Sequence, residues 1–290
     1  MQAFSDLLEQ LYYTAGTKAK SQLILHYLAT TPDPDRGWAI AAMAGTLRFD
    51  FFKRNTVKKL ITERVDPELF AMSYDYVGEV SETVAHLWPE FTLGEALPSL
   101  SEVVDTFANV SKQKVASTLA NYLTIMTPSQ RWALLKLGTR GLRIGVSARS
   151  IKQILAEYGN QDITEVEKLW HGVTPPYTDL LAWLEGNGPK PDISNAVTFH
   201  PVMLSHPIAQ DDIDDFSPEQ WQIEHKFDGI RVQLVCNTTK EEPEKALFSR
   251  TGDDISHAFP DLLDSVDGNM VIDNMVLDGE LLVMHNDEVD

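Results

Sequence analysis

The hydrophobic period of the chain changes once, and that change limits the folds open to it. Up to about residue 190, apolar residues recur every three or four positions: Phe4, Leu7, Leu8, Leu11; Val80, Val84, Leu87, Trp88; Val115, Leu119, Tyr122, Leu123. That spacing gathers them on one face of an α-helix. The runs stop at Thr31-Pro32-Asp33-Pro34, Asp66-Pro67, Trp88-Pro89, Leu97-Pro98 and Thr127-Pro128, because proline removes an amide donor and clashes with the preceding turn. Ser99 and Ser101 before Glu102, and Thr127 before Pro128, are the capping residues expected at helix starts. Past Trp221 the period becomes two. Strands are expected at 221–226, 230–236, 246–250 and, in two pieces, 271–284, with a helix from Ser256 or Pro260 through Leu263. Between the regimes, Gly186, Gly188, Pro189, Pro191, Pro201 and Pro207 break both periods. A linker with a short extended segment over 199–204 is expected there. No fixed repeat runs through the helices, which excludes a solenoid.

The 290 residues suffice for two domains. A helical spacing from the first residues replaces the basic start and apolar block of a signal peptide, and no apolar run reaches membrane-spanning length. The lone cysteine, Cys236, excludes an intramolecular disulfide and fits a reducing compartment, so the cytoplasm is the default expectation. One cysteine also makes a zinc site improbable, and the eight histidines show no ligand spacing. The net charge of −19 argues against a nucleic-acid binder when taken whole, but the cations are grouped. Arg131, Lys136, Arg140, Arg143, Arg149 and Lys152 occur in one stretch without an acid, and Arg36, Arg48, Lys53, Arg54, Lys58, Lys59 and Arg64 occur in another that also holds Asp50 and Glu63. Local basic stripes steer a phosphate backbone better than net charge does; solvated helix faces are the alternative.

Three polar clusters fall at expected strand ends: Glu224-His225-Lys226-Phe227-Asp228-Gly229-Ile230-Arg231, Ser249-Arg250-Thr251-Gly252 and Asp278-Gly279-Glu280. By the period of two, Glu224 and Lys226 share a face, as do Asp278 and Glu280. Asp228-Gly229 reads as a hairpin turn. A lysine nucleophile needs its proton removed, and attack on a triphosphate needs cations around the phosphates. Arg231 and Arg250 supply positive charge, while Glu280 and Asp228 are oxygen ligands for a metal or partners for a ribose hydroxyl. A hairpin carrying a surface lysine is the plain alternative. Upstream, Gly138-Thr139-Arg140-Gly141-Leu142-Arg143-Ile144-Gly145 follows a helix ending near Leu137, with Ser147 set to cap the next helix. Glycines let backbone amides approach an anion, and a helix start favours negative charge. A plain helix connection is the competing reading.

Lys226-Phe227-Asp228-Gly229-Ile230-Arg231 matches the KxDGxR nucleotidyl-transferase motif, and Ser249–Gly252 and Asp278–Glu280 resemble its SRxG and DGE elements. Gly141–Val146 resembles the G-x-LRIG loop of the helical DNA-binding domain of ATP-dependent DNA ligases. The resemblance is nearest to bacterial members without zinc or BRCT modules. It implies a multidomain chain: an all-α DNA-binding domain over 1–190, a linker over 191–215, and an incomplete α+β (ATP-grasp-like) nucleotidyl-transferase domain over 216–290. It implies that Lys226 takes AMP from ATP, that Glu224 contacts adenine, and that Asp228, Gly229, Arg231, Arg250 and Glu280 surround ribose, phosphates and Mg2+. Glu280 and Asp228 are then the metal ligands, and Arg140, Gly141, Arg143 and Gly145 form the minor-groove loop on nicked duplex DNA. No membrane and no obligate protein partner are implied. The family's adenine-stacking aromatic, further glutamate, KxxK pair and OB-fold do not follow within the chain. A C-terminally truncated member is therefore expected, sealing no nicks and adenylating itself poorly or not at all. A non-catalytic DNA-binding fragment and an RNA ligase or capping-type transferase are the alternatives, since KxDGxR is shared with the latter.

Overall fold

A computed structural model describes residues 1–47, 51–92, 94–193, 196–203, 205–208, 216–217, 219–222, 224–237, 244–266, 274–285 and 288–289. Expectations that fall on Arg48, Asp50, Leu204 or the acidic run Asp211–Asp215 lie outside these residues. Among the described residues the chain is helix-rich, with thirteen α-helices and a three-stranded antiparallel sheet. The helices are α1 (Gln2–Tyr13), α2 (Thr17–Thr30), α3 (Asp35–Ala44), α4 (Arg54–Thr62), α5 (Pro67–Val77), α6 (Val80–Leu87), α7 (Leu100–Asn109), α8 (Val115–Ile125), α9 (Pro128–Gly138), α10 (Ala148–Gly159), α11 (Ile163–Trp170), α12 (Thr178–Leu184) and α13 (Pro260–Val266). The strands are β1 (Ile230–Asn237), β2 (Glu244–Ser249) and β3 (Asn274–Leu281), followed by a two-stranded pair, β4 (Met284–His285) and β5 (Glu288–Val289). No helix among the described residues is long and apolar enough to cross a membrane.

The chain divides into two compact units. One comprises Met1–Val166 and Thr174–Pro191; the other comprises Glu167–Val173 and Asp192–Asp290. In the first, the helical spacing becomes a buried core that includes Phe4, Leu8 and Leu11 of α1, Val84 of α6, Leu119 and Leu123 of α8, and Leu134 and Leu135 of α9. Helix α9 packs on both α1 and α6. The expected caps form: Ser99 and Glu102 make a reciprocal capping box on α7, Thr127 and Gln130 make one on α9, and Ser147 Oγ accepts from Ser150 N at the start of α10. Each satisfies amides that a helix start leaves without partners.

Two arginines from the basic stretches are structural. Arg36 is buried and pairs with Asp33 (2.7 Å) and with Glu185, while donating to the Leu28 carbonyl and the Tyr158 hydroxyl. Hydrogen bonding from Arg36 and Tyr158 pulls the Glu185 carboxyl down to about 2, against a smaller opposing effect of burial. A carboxyl depressed in the folded state stabilises the fold above its unfolded value and loses that contribution as pH falls toward the folded value. We therefore expect Glu185→Gln to cost about 2 kcal/mol at pH 7, between the limits for surface and buried pairs. The gap from the parent chain closes between about pH 4.5 and pH 2. Thermal melts of both chains across that range measure it.

The second unit is built around β1, whose neighbours are β2 and β3. Val232, Leu234 and Cys236 of β1 face Leu263 of α13, together with Leu247 and Met275. Val235 faces the other way, against Phe248 and Phe199. The side-chain amide of Gln233 mimics a strand partner for His200, accepting from its N–H (2.7 Å) and donating to its carbonyl (3.0 Å). The residues around Phe199 thus cover one face of the sheet.

One expected element is corrected. The described residues of 221–226 form no strand. Both lateral edges of β1 are taken by β2 and β3, so a hairpin partner from 221–226 has no ladder to join. Asp228-Gly229 accordingly leads straight into β1. Glycine is required at 229 by close approach: a Cβ there would stand 2.3 Å from the Leu281 carbonyl oxygen.

Candidate nucleotide and DNA-binding sites

The antiparallel order β2-β1-β3 brings three sequence-distant segments to one end of the sheet. Lys226–Gly229 precedes the start of β1, Arg250 follows the end of β2, and Glu280 lies next to the end of β3. The register sets Ile230 opposite Leu281, Arg231 opposite Glu280, Gln233 opposite Asp278, and Val232 opposite Ser249. Directly opposed residues share a face, so Arg231, Glu280 and Asp278 lie on one face of the sheet. Arg231 grips Asp278 with two parallel bonds, Nε to Oδ1 at 3.1 Å and Nη2 to Oδ2 at 2.6 Å. That contact, chiefly a hydrogen bond, raises the Arg231 pKa and lowers that of Asp278. Glu280 Oε1 accepts from Gly229 N at 3.1 Å, fixing the segment after Lys226 to β3.

Lys226, Glu224, Asp228 and Arg250 are exposed. Lys226, Asp228 and Arg250 have no hydrogen-bond or ionic partner among the described residues. Glu224 accepts from Gln222 at 2.7 Å. Because 224–226 is not a strand, the shared face expected for Glu224 and Lys226 is not imposed by a pleat. The SRxG element forms a tight turn: Ser249 N donates to Asp253 O, Gly252 N donates to Ser249 O, and Thr251 Oγ1 donates to Asp253 Oδ2 at 2.6 Å. Gly252 has φ +86, and a Cβ on it would meet the rings of His171 and Phe199. Arg250 therefore sits in a hydrogen-bonded turn and is exposed. Among the candidate residues, Asp228 and Gly229 line a mostly apolar cleft of about 710 Å³ bounded by Phe259, Leu262 and Leu281. Lys226, Arg231, Arg250 and Glu280 do not line it.

No cluster of three or more His, Cys, Asp or Glu suited to a metal occurs among the described residues. Asp228 and the second oxygen of Glu280 offer two hard oxygen donors. Carboxylate oxygens are the ligand type that Mg2+ takes, alongside waters and phosphate oxygens.

In the helical unit, α9 ends at Gly138 and the loop to α10 carries the glycine-arginine sequence. The loop is internally bonded: Gly141 N donates to the Lys136 carbonyl at 2.8 Å, Arg143 N donates to the Gly141 carbonyl at 2.8 Å, and Lys20 Nζ donates to the Ile144 carbonyl. Gly145 takes a left-handed φ of +68. The two loop arginines differ. Arg140 donates to the Leu47 carbonyl at 2.7 Å, whereas Arg143 is exposed. Arg143 and Gly141 line a polar pocket of about 170 Å³ with Arg54, Lys136, Thr139 and Ser81. Lys136 pairs with Glu79 at 3.3 Å. Arg54 and Lys136 belong to different basic stretches of the sequence. Their convergence on one pocket comes from the packing of α4, α6 and α9 and has no short-range sequence signal.

Residues 202–290 match the family model described as the ATP dependent DNA ligase domain. The chain is similar to a DNA ligase of Methanococcus aeolicus, 26% identical over 72% of this chain and 38% of the relative. It is also similar to a DNA ligase of Methanococcus maripaludis, 28% identical over 67% of this chain and 33% of the relative. DNA ligase 1 of Methanosarcina barkeri is 22% identical over 76% of this chain and 41% of the relative. The chain spans about a third to two fifths of the length of these curated relatives.

Proposed function

We propose that this chain, related to the ATP-dependent DNA ligases, is the part of such an enzyme that binds nicked duplex DNA through its helices and accepts AMP on Lys226. The observation that carries the reading is the convergence of Lys226, Arg250 and Glu280 on one end of a single sheet. Residues from 226 to 280 meet there only because the strand order is β2-β1-β3. In this reading the helical unit is an all-α DNA-binding domain, and the sheet is part of an α+β nucleotidyl-transferase domain.

The Lys226 amine, once deprotonated, attacks the α-phosphorus of ATP. A P–N bond forms, the bond to the β-phosphate oxygen breaks, and pyrophosphate leaves. Arg250 and Arg231 offset negative charge on the phosphates. Glu280 orients the backbone of Gly229 and holds the Lys226 segment against β3, and Glu224 accepts from the adenine amino group. Asp228 and Glu280 would hold Mg2+, which would offset charge on the triphosphate. In a complete ligase, AMP then passes to the 5′-phosphate of a nick, where the 3′-hydroxyl displaces it.

Two labelled nucleotides test the transfer. With ATP labelled in the α-phosphate, label stays on the protein through denaturation; with ATP labelled in the γ-phosphate, none does. Retention of γ-label would mean phosphorylation and would refute the reading. The DNA-binding half has its own test. Arg143→Ala is expected to weaken binding to nicked duplex about 5- to 30-fold at low salt and to reduce the salt slope by about one charge. An unchanged slope would remove the loop from the interface.

A further inference from the structure

A groove on the helical unit, formed by α1, α6 and α9, combines three aromatic rings with two carboxylates. Tyr12 and Tyr13 of α1 meet edge to face, with ring centroids 5.4 Å apart, and Tyr12 meets Trp132 of α9 in the same way at 5.5 Å. The groove of about 310 Å³ is completed by Glu9 on α1 and by Glu82 and His86 on α6. Both tyrosines are largely solvent-exposed, Tyr13 at 78% and Tyr12 at 52%. A cluster of exposed apolar rings rimmed by polar side chains marks a candidate interaction surface. Glu9 is held by the Ser129 hydroxyl at 3.0 Å, and the Glu82 carboxylate has no partner among the described residues.

We infer that this groove binds an arginine side chain presented by a partner protein. Faces of Trp and Tyr rings attract cations within about 6 Å of the ring centre. Trp132 already has one such neighbour, with Lys136 Nζ 5.9 Å from its ring. A carboxylate on each of two walls, α1 and α6, selects positive charge and repels a phosphate backbone, so nucleic acid is disfavoured here. A planar guanidinium both stacks on the rings and pairs with a carboxylate through two bonds, which an ammonium does not do. The groove needs no nucleotide and no DNA, so it is independent of the ligase reading.

The test is an NMR titration of the 290-residue chain, following the Trp132 indole resonance assigned with Trp132→Phe. Three probes are compared: acetyl-Gly-Arg-Gly-amide, its citrulline counterpart, and a single-stranded thymidine oligonucleotide. The arginine peptide is expected to shift the Trp132 resonance saturably. Glu82→Gln and Tyr13→Ala are expected to weaken it at least 5-fold each, and citrulline to bind at least 10-fold more weakly. Both substitutions are at exposed or half-exposed positions, and unshifted resonances elsewhere verify the fold. Equal binding of the citrulline peptide, saturable binding of the oligonucleotide at Trp132, or insensitivity to both substitutions would overturn the inference.

Discussion

In the Lys226→Ala chain, incubation with magnesium and ATP labelled in its α-phosphate leaves no protein-bound nucleotide above background. The slow labelling expected of the parent chain disappears, because a nucleophile that forms the covalent bond has no substitute in its own role. Lys226→Arg is expected to be equally inactive: it keeps the positive charge, but a guanidinium is not a nucleophile at neutral pH. That comparison separates attack on the α-phosphorus from simple attraction of the triphosphate. His225→Ala is expected to keep the label, although its imidazole is the neighbouring group able to carry phosphorus. Scintillation counting of precipitated protein measures all four chains under one set of conditions. Equal labelling of the parent and Lys226→Ala chains would remove Lys226 from the chemistry.

Arg131→Met lowers the stability of the helical unit by about 3–5 kcal/mol, the largest effect expected outside the site. The reason is the company Arg131 keeps. It is buried, and it donates through Nε to the Leu123 carbonyl (2.6 Å), through Nη1 to those of Ala85 and Trp88 (both 3.3 Å), and through Nη2 to that of Glu90 (2.7 Å). Leu123 lies in the last turn of α8; Ala85 and Trp88 lie at the end of α6. One guanidinium therefore satisfies carbonyls that two helix ends leave without partners and sets a cation at the negative pole of both dipoles. Methionine fills most of the volume but leaves four dry acceptors. Arg131→Lys keeps the charge without the fork and is expected to fall between. In thermal unfolding, the methionine variant is expected to lose roughly 10 °C in Tm. A loss within 2 °C would mean that water replaces the guanidinium.

The helical half was legible because its information is local. The spacing in α1, the capping boxes on α7 and α9 and the serine cap on α10 lie within a few residues of what they specify. Arg131 shows where composition misleads. Composition places it in an acid-free basic stretch, yet Leu134, Leu135 and Gly138 follow at helical spacing and are all buried, which marks it as a core-facing position. In the sheet half, the strands at 230, 244 and 274 are close to those the alternation gave, but pairing is a long-range property. Asp228-Gly229 carries the strongest local hairpin signal in that region, and it was outweighed by Arg231 pairing with Glu280 across 49 positions of sequence. The same pairing explains what sequence could not show: Arg231 is partnered by Asp278, and the segment after Lys226 is anchored by Glu280 through Gly229.

The central claim is that Lys226 receives AMP, and locating the modified residue tests it most directly. The parent chain is incubated with ATP and magnesium, digested, and analysed by mass spectrometry under conditions that preserve phosphoramidates. AMP is predicted on the peptide containing Lys226, at the lysine itself, in a small fraction of parent chains and in none of the Lys226→Ala chains. AMP on His225, on Lys245 or on any other residue, or the same modified peptides in both chains, would contradict it.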